Sequence, residues 1–270
     1  MNYSEIVGVV KERNRPSGGI KTVHEVVKNA FISPKHRLLE IGSNTGFTSV
    51  NISLLTGGQV VGIDMVDESI DEARKYAKAN GVENKVSFIK ASALNLPFEN
   101  ESFDFVWASN VTSFIDDKEK ALSEYLRVLK MGGILIIIPI YYFKKPPVSI
   151  VNKISNAIGS KIQVWDKNYW LNLVRKMSLD SGLSLELVYE SSYRYEDKKK
   201  EINNYVEEIF SKKHLQELPE KERDVLKKEY SKFIELFNQN LKYAQYSIFL
   251  FQKRSQKDEM ELFKTRKIGI

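Results

Sequence analysis

Leu38-Leu-Glu-Ile-Gly-Ser-Asn-Thr-Gly-Phe47 is an apolar run that breaks at Gly42 into small and polar residues, then resumes after Gly46. It reads as a strand, a tight turn and the start of a helix. Glycine at both ends of the turn lets the backbone bend sharply and lets a ligand come close to it, and the helix N-terminus supplies free N–H groups. The next apolar run, Gln59-Val-Val-Gly-Ile-Asp64, ends on an acid 22 residues after Gly42. An acid at the end of the second strand is placed to accept hydrogen bonds from both hydroxyls of a ribose. Turn and acid together mark an adenosine-containing cofactor at the switch point of a sheet.

Outward from this segment, Val86-Ser-Phe-Ile-Lys90, Phe103-Asp-Phe-Val-Trp107 and Ile134 to Ile138 have the apolar, β-branched and aromatic character of strands. Helical patterns lie between them. Glu68 to Asn80 turns Ala73 and Ala77 inward and stops at Asn80-Gly81; Asp117 to Leu129 carries Ala121, Leu122, Tyr125 and Leu129 at helical spacing before Gly132-Gly133. Strands separated by helix-length segments pair in parallel. The predicted fold is therefore α/β, a doubly wound, mostly parallel, seven-stranded Rossmann-like sheet. Two stretches interrupt the alternation: residues 141–166, with Lys144-Lys-Pro-Pro147, and the charged, helical residues 197–242 between apparent strands Leu185 to Tyr193 and Ala244 to Gln252. The second has an apolar face at Ile202, Val206, Ile209 and Phe210 and reads either as a solvated excursion or as a lid. The expected organisation is a helical segment at 1–36 covering the cofactor, a main domain at 37–254 with these two insertions, and a tail at 255–270.

Composition narrows the chemistry. The 270 residues are 42% hydrophobic and 28% charged, a globular balance, and include no cysteine. Disulfides, thiolate metal sites and cysteine nucleophiles are excluded. The net charge of +6, over this length, reads as ordinary solubility rather than a nucleic-acid footprint. The longest apolar run, Gly132 to Phe143, is shorter than the roughly 20 residues of a membrane helix, and the first residues lack a signal-peptide core. The expectation is a soluble, cytoplasmic protein without a membrane span. No motif speaks to oligomeric state.

A dinucleotide fingerprint starting at Gly42 needs glycine where Asn44 and Phe47 stand. The pattern present, acid-x-Gly-x-Asn-x-Gly, resembles the first motif of the class I S-adenosyl-L-methionine (SAM) methyltransferases, usually written with three glycines. Val61-Gly-Ile-Asp64 resembles the second-strand acid of that family, Leu96-Pro-Phe with Ser102-Phe-Asp-Phe-Val106 its L-P-F…F-D-x-V signature, and Leu126-Arg-Val-Leu-Lys-Met-Gly-Gly133 its R-V-L-K-P-G-G turn. The resemblance runs from Leu38 to Pro139 and is nearest to the subgroup of ubiquinone and menaquinone methyltransferases. It implies SAM as cofactor and S-adenosyl-L-homocysteine (SAH) as product. It implies that Glu40, Gly42, Ser43, Asn44 and Gly46 form the turn at the methionine end, Glu40 helping to hold the ammonium. Asp64 would hold the ribose with Met65 beside adenine, Ser92 and Ala93 would face the adenine edge, and Ser109 and Asn110 would lie near the sulfonium. Asn44 departs from the middle glycine but tolerates a positive φ. Ser92 replaces a usual aspartate, and Met131 the proline of the glycine turn.

The acceptor is less defined. Lack of cysteine excludes the C5-pyrimidine route, and Ser109-Asn-Val-Thr112 stands where exocyclic-amine methylases carry Asn-Pro-Pro-Tyr. Asp116-Asp117 reads as a helix N-cap rather than a Mg²⁺ site, and the three histidines share no metal spacing, so no metal is expected. His36 and His214 read as surface residues. His24, in the helical pattern Ile20 to Phe31, is the candidate base, or else an ordinary helix residue. Tyr141, Tyr142 and Trp165 are candidates to line an aromatic acceptor pocket, or to pack the core. The predicted function is methyl transfer from SAM to oxygen, nitrogen or carbon of a small molecule. The alternatives are an RNA or protein methyltransferase, for which no nucleic-acid module is present, and a non-catalytic SAM-fold binding protein.

Overall fold

In the computed structural model, which describes residues 3–13, 16–196 and 199–255, eight strands form one sheet. They are β1 (Arg37–Ile41), β2 (Gln59–Asp64), β3 (Val86–Lys90), β4 (Phe103–Ala108), β5 (Leu129–Ile137), β6 (Ile140–Tyr142), β7 (Leu183–Arg194) and β8 (Ala244–Ser255). The order is β3-β2-β1-β4-β5-β8, with β7 on the far side of β8. The first five pair in parallel; β8 runs antiparallel to β5, β6 and β7. The predicted seven strands become eight at Pro139. Ile137 faces Phe249 and Ile140 faces Tyr246, a step of three on each side, so β6 continues β5 along the same edge of β8. Proline, with no N–H to donate, interrupts the ladder there.

The helices are α1 (Tyr3–Val10), α2 (Ile20–Asn29), α3 (Phe47–Thr56), α4 (Asp67–Ala79), α5 (Lys118–Val128), α6 (Val148–Ile158), α7 (Lys167–Ser181), α8 (Lys199–Phe210), α9 (Lys213–Gln216) and α10 (Glu220–Leu241). Leu38 and Leu39 show how the sheet is covered. Successive strand residues point to opposite faces, so Leu38 packs with α2, α3 and α4 while Leu39 packs with α5 and α7. Asp117 caps α5 by accepting the Lys120 N–H (2.9 Å), and Asp166 caps α7 by accepting that of Tyr169 (2.8 Å).

A third apolar cluster stands apart from the sheet. Ile6 and Val10 of α1 meet Val206, Ile209 and Phe210 of α8, Leu215 of α9, and Leu226 and Tyr230 of α10. The apolar face expected in the 197–242 insertion is thus satisfied by α1, a partner nearly 200 residues away. Because β7 runs in the same direction as β5, the insertion leaves the sheet at the edge where β1, β2 and β4 end. Beyond Ser255, the expected tail lies outside the described residues.

Candidate functional site

A cavity of about 520 Å³ opens at the carboxyl ends of β1, β2, β4 and β6. Glu40 forms its floor. The side chain is 4% exposed, and its Oε2 accepts the Ser49 N–H (2.9 Å) and the Ser49 hydroxyl (2.5 Å). Glu40 therefore occupies the N-terminus of α3, where a negative charge meets unpaired N–H groups. Burial nevertheless pushes its pKa up to about 7, because desolvation outweighs the bonds from Ser49 and Thr48 and nearby Asp64 adds repulsion.

The turn above it is held by Asp64. Its Oδ2 accepts the Asn44 N–H (2.9 Å) and its Oδ1 that of Val66 (3.1 Å), and the Ser43 N–H reaches the Ile63 carbonyl (2.8 Å). Asn44 takes the expected positive φ, 43°, and its side chain accepts the Thr45 N–H (2.8 Å). Gly42 has φ +70°, and a Cβ there would sit 2.6 Å from Val111 Cγ2. The Ser43 hydroxyl is buried without a partner. After β4, Ser109 lines the cavity and Asn110 Oδ1 accepts both the Ser113 hydroxyl (2.8 Å) and the Ile140 N–H (3.2 Å), tying this turn to β6.

The opposite wall comes from elsewhere in the chain. Tyr142 donates its hydroxyl to Asn240 Oδ1 (3.1 Å), and Trp165, stacked on Tyr169 at 3.8 Å, stands beside it. Ile154 and Ile158 of α6, and Phe237, Asn240 and Leu241 of α10, complete this wall, while Pro16 and Ser17 enter from the N-terminal segment.

Glu40, Gly42, Ser43, Asn44, Asp64, Ser109, Asn110, Tyr142 and Trp165, all named from the sequence, thus line one cavity. Several others do not line the cavity. Tyr141 is corrected: one residue from Tyr142 on a strand, it points to the other face, buried in the core with its hydroxyl 2.6 Å from Ser247 Oγ. His24 is corrected too, since it lies on the exposed face of α2, away from the cavity. Gly46 packs inward instead: a Cβ there would lie 2.7 Å from the Phe88 ring and 3.0 Å from Ala73. Met65 is 67% exposed, Ser92 Oγ accepts the Leu94 N–H (3.2 Å), and Ala93 packs on the α5 side of the sheet.

Residues 39–137 match the family profile described as Methyltransferase domain. Over 173 residues the chain is 32% identical to the uncharacterized methyltransferase YcgJ of Bacillus subtilis (strain 168), covering 62% of this chain and 67% of that protein. The chain belongs to the class I SAM-dependent methyltransferases. It is also 32% identical, over 52% of its length and 55% of the relative, to the ubiquinone/menaquinone biosynthesis C-methyltransferase UbiE of Vibrio parahaemolyticus serotype O3:K6 (strain RIMD 2210633). A solved structure of the MccD protein superposes with a TM-score of 0.75 at 24% identity, covering 90% of this chain and all of that one. In eight of the curated relatives the matched stretch spans from 29% to 67% of their own length.

SAM is the cofactor of this methyltransferase family, and the residues present fit it. A buried carboxylate that lacks a cation, an unpartnered buried hydroxyl on Ser43 and a glycine turn beside an acid are complementary to an amino acid joined to a ribose. No group of three or more His, Asp or Glu among the described residues is placed to hold a metal, and no described helix is long and apolar enough to cross a membrane.

Proposed function

We propose that this methyltransferase moves the methyl group of SAM to oxygen, nitrogen or carbon of a small organic acceptor in the cytoplasm, and that it belongs with the quinone-type C-methyltransferases in subgroup. The observation that carries the reading is one cavity with two unlike halves. Glu40 and Asp64 make one half acidic, and α6, α10 and Trp165 make the other predominantly apolar. Its volume falls in the usual range of small-ligand sites, about 300–1,000 Å³.

SAM, when bound, supplies an electrophilic methyl on a positively charged sulfur. Glu40 would hold the ammonium of its amino-acid end and Asp64 its ribose hydroxyls, while the Ser43–Asn44 turn brings backbone close to the ligand. The residues after β4, Ser109 and Asn110, would border the reacting centre. The protein's further work is alignment and exclusion of water. We assign that to the insertion and the N-terminal segment acting as a lid, because α10 and Pro16–Ser17 cover the cavity from opposite ends of the sequence. Formation of SAH from SAM, followed against a panel of apolar metabolites and a panel of RNAs, tests the reading. Turnover only with RNA, or no SAH binding by calorimetry, would overturn it.

A further inference from the structure

The acceptor half of the cavity has an unusual balance of charge and proton chemistry. Among the described lining residues the titratable groups are Glu40, Asp64, Tyr142 and Lys161, and only the last two lie on the acceptor side. Lys161 follows Gly159, the left-handed cap of α6. Its loop is fixed at two points: the Ile162 N–H donates to Ser155 Oγ (3.0 Å), and the Tyr142 N–H to the Trp165 carbonyl (2.8 Å). Lys161 is exposed, has no hydrogen-bond or ion-pair partner among the described residues, and is the one cation among those that line the cavity. A second donor on the same wall is unmet, since the Trp165 indole N–H is buried without an acceptor.

We infer that the acceptor is an apolar molecule that enters already ionised as an oxyanion, a carboxylate or an acidic phenol or enol, with Lys161 at the cavity mouth as its counter-charge. This rests on the methyltransferase reading and narrows it to a substrate class. A lone cation at the mouth of a predominantly apolar pocket biases entry toward anions and away from an ammonium, even where water screens it. The Lys161 ammonium and the buried Trp165 indole N–H are donors, matching oxygen acceptors, and Gln163 beside them can donate as well as accept. Tyr142 already donates to Asn240 and is held protonated by burial, so the described wall offers no base to take a proton from an alcohol. An oxyanion needs none. Of the three acceptor atoms proposed above this selects oxygen: its lone pair forms the new O–CH₃ bond, the methyl–sulfur bond breaks with its electron pair left on sulfur, and no proton leaves the acceptor.

The test is calorimetric titration of the SAH-saturated protein with matched probes: 4-butylbenzoate against 4-butylbenzamide, and 4-butyl-2-nitrophenol at pH 8 against 4-butylphenol. The expected result is an anion preference of about tenfold or more in at least one pair, lost in Lys161→Gln and kept in Lys161→Arg, with SAH affinity unchanged in both variants. The pair that responds separates carboxylate from phenolate acceptors. Equal affinity within both pairs, no measurable binding of either anion, or a preference surviving Lys161→Gln overturns the inference. Failure of the unmodified protein to bind SAH would instead remove the methyltransferase reading beneath it.

Discussion

Glu40 and Ser49 are joined twice, through the backbone N–H and the hydroxyl of Ser49 to the same carboxylate oxygen, at 2.9 and 2.5 Å. One side chain therefore both caps α3 and forms the floor of the cavity. Even these two bonds do not offset the burial of the charge, which pushes the carboxyl up to about 7.

Cofactor affinity should therefore depend on pH across the neutral range. Below about pH 7 Glu40 is mostly protonated and gives up its attraction for an ammonium. The affinity for SAH should fall toward about tenfold per pH unit between pH 6.5 and 5.5 and level off above pH 8. Glu40→Gln should bind more weakly at pH 8 and show a flatter profile. Titrations at four pH values decide it; parallel profiles in both proteins would exclude Glu40 as the linked group.

The same carboxyl affects stability with the opposite pH sense. Its folded pKa lies above the ordinary value of 4.5, so its contribution is fully favourable below about pH 4.5 and is lost as pH rises through about 7. Without ligand, Glu40→Gln should gain stability relative to the unmodified protein on going from pH 5 to pH 8, by up to about 3 kcal/mol. Urea unfolding at the two pH values measures the difference directly.

Asp64→Ala should weaken SAH binding by about 1–3 kcal/mol through loss of charge-assisted hydrogen bonds. It should also release the Asn44 N–H that Asp64 accepts at 2.9 Å, loosening the turn. Unchanged affinity in calorimetry would take Asp64 out of the site.

Backbone demands at the turn separate two neighbouring positions. Asn44→Gly should be close to neutral, since φ is 43° there, and Asn44→Ala should cost about 1 kcal/mol. Gly42→Ala meets both a positive φ and a side chain at 2.6 Å, and should cost more than 2 kcal/mol in thermal or urea unfolding.

The lid can be tested at two depths. Asn240→Ala leaves the third cluster intact, and should lower acceptor turnover while leaving SAH affinity unchanged. Replacing Asp197 to Asn240 by a short glycine-containing turn should keep SAH affinity within about tenfold and abolish methyl transfer. It also strips Ile6 and Val10 of their partners, so the shortened protein should stay monodisperse only when α1 is removed as well. Normal turnover by that shortened protein would make the insertion a solvated excursion.

The half of the cavity proposed to take the cofactor was legible because it is local. Glu40, Gly42, Asn44 and Asp64 lie on two adjacent strands and the turn from β1 into α3, so residue types and spacing determine their geometry. Asn44 took the φ its residue type allows. The acceptor half is assembled from distant segments, and its signals are phases rather than motifs. Tyr141 and Tyr142 differ only in which face of β6 they occupy, and the break at Pro139 hides the alternation that would have told them apart. Phe237, Asn240 and Leu241 sit at the end of a charged helix whose periodicity says that one side is covered without saying by what. Lys161 follows a helix-ending glycine and resembles any surface lysine until the cavity is seen. His24 failed for the plain reason that its helix buries Val23 and Val26 and turns it outward.

The third cluster has a consequence for the chain as it is made. α1 is synthesised well before its partners, since the residues that cover Ile6 and Val10 are about 200 positions later. At a synthesis rate of about 5–20 residues per second, α1 waits on the order of 10–40 s with its apolar side open. The sheet through β5 can form during that interval, because every parallel pairing it needs is complete by Ile137. α1 is thus made long before it finds its place, and the acceptor pocket closes only once α10 has arrived.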